Sequence, residues 1–137
     1  MVIVSACLLG ENCKYNGGNN YSERIAKLLA EREILPVCPE VLAGLGIPRE
    51  PIELKEGVPY RIDGKCLLEE LDRAVLKIKE MIKGKEIEYA VLKSRSPTCG
   101  VKEIYDGSFT HTKIKGMGML AKALSDMGIR VIDSEEV

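Results

Sequence analysis

The chain has 137 residues, 45% of them hydrophobic and 30% charged, with a net charge of −1. That composition suits one packed core and excludes a disordered chain. The near-neutral balance gives no electrostatic reason to expect nucleic acid or an anionic membrane as partner, and no apolar run approaches the roughly 20 residues of a membrane span. Five cysteines, an odd count, and no basic leader before the first apolar run point to the cytoplasm and against a disulfide scaffold.

Val2, Ile3, Val4 and Ala6 form a compact β run with Cys7 at its carboxyl end. A loop follows over residues 8–20, rich in Gly and Asn and carrying Cys13, Lys14 and Tyr15. Ser22 is a good N-cap for a helix over residues 23–32, with Ile25, Leu28 and Leu29 on one face. Residues 34–37 are a second apolar run, ending at Cys38, Pro39 and Glu40. One helical turn is expected over residues 41–46, weakened by Gly44 and Gly46. An extended loop around Pro48 and Pro51 leads to a short edge strand over residues 52–54, then a small hairpin over 57–65 with Asp63-Gly64 as its turn.

The clearest helix covers residues 67–82, where Leu68, Leu71, Val75, Ile78 and Ile82 are spaced for one face and Gly84 follows as a stop. Ala90, Val91 and Leu92 are a third buried strand. It breaks at once into Ser94, Arg95, Ser96, Pro97, Thr98, Cys99 and Gly100, because Pro97 cannot donate to a ladder and biases Ser96 away from helix. A polar loop over residues 101–112 has a hairpin candidate at Asp106-Gly107. A last helix over 116–127, with Gly128 at its C′ position, precedes a strand over 129–132. Strands alternating with helices predict an α/β fold: a single three-layer domain over residues 1–137 with a mainly parallel sheet, flavodoxin-like or Rossmann-like.

That alternation puts Cys7, Cys38 and Cys99 at the carboxyl ends of three strands, the edge where open α/β sheets bind ligands. If the strands are neighbours, three thiols share one crevice. The plain alternative for any one of them is a small buried apolar residue. Soft thiolates select zinc, Cu(I) or iron–sulfur clusters, and three protein ligands leave one position open. Cys66, beside a helix start, reads as structural. Cys13 stays open between fourth ligand, redox partner and catalytic group.

Three blocks resemble the signatures of the DUF523 family, which includes thiouracil desulfidase enzymes: SACLLGENCKYNG (residues 5–17), CPEVLAGLGIPREP (38–51) and LKSRSPTCG (92–100). The ending GMGMLAKALSDMGIRVIDSEE is similar to the family's last helix and strand. The resemblance implies a [4Fe-4S] cluster held by Cys7, Cys38 and Cys99, with the fourth iron open to the sulfur of a small thiolated substrate. It implies non-redox desulfuration, with Glu40 as first candidate for acid/base work and Ser96 as second, orienting water or substrate. Asn16 stands where many members are expected to carry an acidic residue.

Around that centre, Asn12, Lys14 and Tyr15 are candidates for the pocket mouth, Tyr15 by stacking on a heterocycle. Arg49 is read as pairing with Glu50 or Glu53, His111 as solvated surface, and Met117, Met119 and Leu120 as helix core. The alternative function is a thiol-based redox or zinc-binding protein using the same cysteines. A nucleotide-binding module ranks last, because Gly10, Gly17 and Gly18 match no phosphate-loop spacing.

Overall fold

The computed structural model describes residues 1–137. In chain order the elements are β1 (Val2–Ser5), α1 (Glu23–Leu29), β2 (Ile34–Val37), α2 (Pro39–Leu42), β3 (Ile52–Lys55), β4 (Val58–Arg61), α3 (Leu68–Ile82), β5 (Tyr89–Leu92), β6 (Glu103–Tyr105), β7 (Lys113–Lys115), α4 (Met119–Asp126) and β8 (Val131–Asp133). Short 3-10 turns cover Ala6–Leu9 and Ser134–Glu136. The main sheet is fully parallel in the order β2-β1-β5-β8. Counting its own strands, that is 2-1-3-4, the start of the flavodoxin-type order and not the Rossmann one.

The apolar runs become strands because both faces of the sheet are covered. Val2, Ile3 and Val4 have no exposed surface. Their side chains alternate between two cores, as the strand period requires. Val2, Val4 and Val91 pack with Ile25 and Leu29 of α1. Ile3, Ala90 and Leu92 pack with Val75 and Ile78 of α3 and with Leu120 and Leu124 of α4. The layers are therefore α1, sheet, then α3 with α4. Met117 and Met119 lie against the second core, as the sequence reading has it.

Several boundaries differ from expectation, each for a local reason. Ser22 does cap α1, its hydroxyl accepting from the Ile25 N–H at 3.2 Å. The helix stops at Leu29, because Arg32 N–H bonds to the Leu29 carbonyl and turns the chain toward β2; Leu28 is exposed, off the Ile25–Leu29 stripe that faces the sheet. Helix α2 begins at Pro39, ahead of the expected turn over 41–46; Pro at the first helical position costs no hydrogen bond. In α3 the apolar face uses Ala74 in place of Leu68, which faces outward.

The expected edge strand over 52–54 does not join the main sheet. It pairs with β4 in a separate hairpin whose tip is Glu56-Gly57, both at positive φ. Asp63-Gly64 makes a second turn that brings Cys66 beside Tyr60. Strands β6 and β7 form the expected hairpin across Asp106-Gly107.

Helix α4 begins at Met119, later than expected, because Gly116–Gly118 is spent on close packing. A β-carbon on Gly118 would lie 2.4 Å from the Thr98 carbonyl carbon and 2.6 Å from its oxygen. No flexible side chain can yield there, since the contact is backbone. Gly118→Ala is therefore expected to destabilise the fold by about 1–3 kcal/mol, the range for overpacking. It should also displace the Thr98–Cys99 loop; a thermal melt together with alkylation of Cys99 checks both effects.

Candidate active site

Register brings three strand ends level. Ser5 is paired with Val37, and Val4 with Val91. Cys38 follows β2 directly, Cys7 lies in the 3-10 turn after β1, and Cys99 ends the loop after β5. Strands β1 and β5 flank the point where the strand order reverses, the usual ligand crevice of such sheets. One cavity of about 470 Å³ lies there, lined by Cys7, Cys13, Cys38 and Cys99 together with Glu40, Ser96 and Lys93. Cys66 is exposed and absent from this cavity.

Each loop holds its thiol by local bonds. In the first, the Cys7 carbonyl accepts from the Asn20 N–H at 2.9 Å, and the Asn20 side chain favours the Cys7 thiolate. Cys13 is buried, and its carbonyl accepts from Arg49 Nη2 at 2.9 Å. Arg49 thus ties two loops together; the expected pairing with Glu50 or Glu53 does not form. In the second loop Cys38 is the N-cap residue of α2, with its sulfur 3.8 Å from the Cys13 carbonyl and 3.7 Å from Glu40 Oε2. In the third, Ser96 Oγ accepts from the N–H groups of Thr98 at 3.2 Å and Cys99 at 3.0 Å. Such local turn bonds are typical of serine, and here they also anchor the backbone of Cys99.

Arg95 holds the same loop from outside. Its φ of 61° is a conformation that non-glycine residues seldom adopt. Bonds of 2.7 and 2.9 Å to Glu135 keep it there.

Glu40 is buried and sits between two strand ends. Thr98 Oγ1 donates to its Oε1 at 3.0 Å, and the Cys38 thiol approaches its Oε2. Burial, first, and then the Glu40 carboxylate push the Cys99 thiol up to about 12. The same two causes, in the same order, raise Cys38, while the Val41 N–H acts against them. Burial also raises Cys7 and Cys13. Lys93 is shifted down, chiefly by burial and then by Arg95. Its ammonium bonds to Ser94 Oγ at 3.0 Å and to the Ser94 carbonyl at 3.2 Å, and no carboxylate pairs with it.

These shifts set a pH dependence for the protein with its thiols metal-free. A thiol whose folded pKa lies above its unfolded value of about 8.5 keeps its proton when folded and loses it when unfolded. The stability it contributes is complete below about pH 8.5 and falls as pH rises toward the folded pKa. The metal-free melting temperature should therefore drop between about pH 8.5 and 10, and Cys99→Ala should flatten that slope. Melting curves across that range are the check.

The structure brings together Cys7, Cys13, Cys38, Cys99, Glu40 and Ser96, with Lys14 and Tyr15 in the cavity wall. Asn12 lies outside it and accepts from Asn19 Nδ2. Asn16 accepts from the Gly18 N–H at 3.0 Å, a turn bond that Asp would make equally well. His111 is exposed as expected, yet it also lines the cavity edge, 6.2 Å from the Tyr105 ring in an edge-on arrangement. Sequence reasoning assigned no role to Thr98, Lys93, Asn20 or Ser5. Thr98 and Lys93 both stand inside LKSRSPTCG, so proximity to Cys99 and to the strand end was the available signal. Ser5 heads SACLLGENCKYNG, two residues before Cys7, whereas Asn20 carries no local mark. The Ser5 hydroxyl accepts from Lys93 N–H at 2.9 Å and favours the Cys99 thiolate.

No three His, Cys, Asp or Glu side chains converge on the position of a single ion.

The 2-thiouracil desulfurase family matches the chain over residues 2–136. An uncharacterised protein of Bacillus subtilis strain 168, YbbK, is 35% identical over 147 aligned residues, covering 100% of this chain and 97% of YbbK. Among solved structures, the [4Fe-4S]-dependent thiouracil desulfidase TudS superposes with a TM-score of 0.92 at 34% identity, covering 99% of this chain and 91% of TudS. The α/β fold, the strand-end thiols and the matches along nearly the whole chain agree, and the chain belongs to the 2-thiouracil desulfurase family.

Proposed function

We propose that this protein is a [4Fe-4S]-dependent desulfurase that exchanges the sulfur of a thiouracil, or of a related small thiocarbonyl compound, for the oxygen of water. One observation carries the reading: thiols from three neighbouring strand ends, with a buried carboxylate between them, line a single cavity. The similarity to TudS supports it. The donor set fits the cofactor. Cys7, Cys38 and Cys99 would hold the cluster, as soft ligands from separate loops, and three thiolates leave one iron without a protein ligand. When bound, the cluster supplies a Lewis-acidic iron that accepts the thiocarbonyl sulfur.

The protein's own residues do the rest. Glu40 takes the proton of the attacking water, from a buried position that strengthens its interactions. Ser96 offers a hydroxyl to the substrate from the opposite loop. Lys93, with no carboxylate partner, places positive charge where sulfur leaves as an anion. Tyr15, part-exposed at the wall, gives a planar heterocycle a ring to stack on. One water adds its oxygen to carbon, the carbon–sulfur bonds break, and sulfur departs with their electrons and water's two protons. No electrons are gained or lost.

Anaerobic purification should give a brown protein absorbing broadly near about 400 nm, with about four irons per chain. Incubation with 2-thiouracil should then yield uracil and sulfide. A colourless, iron-free protein from that preparation, or a loaded protein that leaves thiouracil intact, overturns the proposal.

A further inference from the structure

Thr98 touches both groups assigned above to water and substrate, and it has no exposed surface. We infer that Thr98 is a positioning residue: it fixes the Glu40 carboxylate and makes Ser96 a hydrogen-bond donor, never an acceptor, toward the cavity. The inference rests on the proposed desulfurase function.

The argument is one of counting protons. A threonine hydroxyl carries a single proton. Thr98 gives it to Glu40 Oε1 at 3.0 Å. Toward Ser96 Oγ, 3.2 Å away, Thr98 can therefore only accept. Ser96 Oγ meanwhile accepts from the N–H groups of Thr98 and Cys99, which occupies both its lone pairs. The one capacity left to Ser96 is its own proton. It points to Thr98 at rest and is available to a substrate atom that develops negative charge. Ser96 so arranged cannot serve as a base.

The arrangement is held rigidly. The Thr98 carbonyl accepts from Leu120 N–H at 2.8 Å and Ala121 N–H at 3.2 Å, so the first turn of α4 clamps its backbone. Gly118 closes against the same peptide. A side chain fixed on both counts preorganises its neighbours, and that is how positioning lowers a barrier.

The test compares Thr98→Val, which keeps shape and loses the hydroxyl, with Thr98→Ser, which keeps the hydroxyl. Each is purified anaerobically and assayed with 2-thiouracil, its iron counted and its crystal structure solved. The expected result has Thr98→Val with full iron and a KM within about threefold of the parent. Its kcat should be lower by roughly 10- to 100-fold, the loss for one hydrogen bond to a charged group. Thr98→Ser should recover most of the activity. In the crystal, Glu40 should be turned from its place in Thr98→Val and kept there in Thr98→Ser.

Unchanged kcat in Thr98→Val overturns the inference. So does a loss explained wholly by missing iron, or an equal loss in Thr98→Ser. If Thr98→Val does not fold, Thr98→Ala is read by the same criteria. Parent protein that leaves thiouracil intact would defeat the proposed function instead; the Glu40 geometry in the variants would still decide the positioning role.

Discussion

Cys99→Ala, prepared without oxygen, is expected to lose the cluster spectrum and to desulfurate thiouracil at least about 100-fold more slowly, beyond the 10- to 100-fold that removing a group behind a metal ligand costs. Cys99 is the most enclosed of the three strand-end thiols. Its sulfur lies 3.7 Å from Thr98 Oγ1, and the Ser5 hydroxyl favours its thiolate form. Thiolate formation at a thiol pushed up to about 12 is unfavourable alone, so metal binding must release that proton. The fold should survive the substitution, since a buried thiol behaves as a small apolar residue. Iron content, the absorbance near about 400 nm and the melting curve measured together settle the matter. A Cys99→Ala protein with full iron and full turnover would remove Cys99 from the ligand set.

Glu40→Gln is expected to keep the cluster and to lower kcat by about 10²- to 10⁴-fold, the usual contribution of a positioned acid or base. The amide preserves the shape and the acceptor that Thr98 addresses, so KM should move little. A second consequence separates this role from packing. The Glu40 carboxylate raises the Cys38 and Cys99 thiols by charge repulsion. Neutralising it lowers both, so Glu40→Gln should take up iron and sulfide at a lower pH than the parent protein. Turnover within threefold of the parent would end the assignment of Glu40.

The two residues were legible in the sequence for different reasons. Cys99 follows an apolar run that breaks at Pro97, a purely local pattern. Glu40 was marked only by its place after Cys38-Pro39, and its burial between two strand ends is a tertiary fact. Leu28 and Leu68 show the same divide. Both fit a helical apolar face by spacing, and both point outward, because the sheet is covered by the narrower stripes of Ile25–Leu29 and Leu71–Ile78. Arg49 was read as an ion pair with a sequence neighbour; its partners are backbone carbonyls, one of them from a loop 36 residues away.

What local chemistry determined unaided was considerable. Apolar runs became β1, β2 and β5, Ser22 became a cap, and three thiols were placed at the carboxyl ends of strands. Pairing decided the remainder: that β2, β1 and β5 are neighbours, that Cys13 joins the same cavity, and that Thr98 reaches Glu40 across 58 positions. Parallel strands are joined by long crossovers, so the residues they bring level share no spacing that a linear reading can detect.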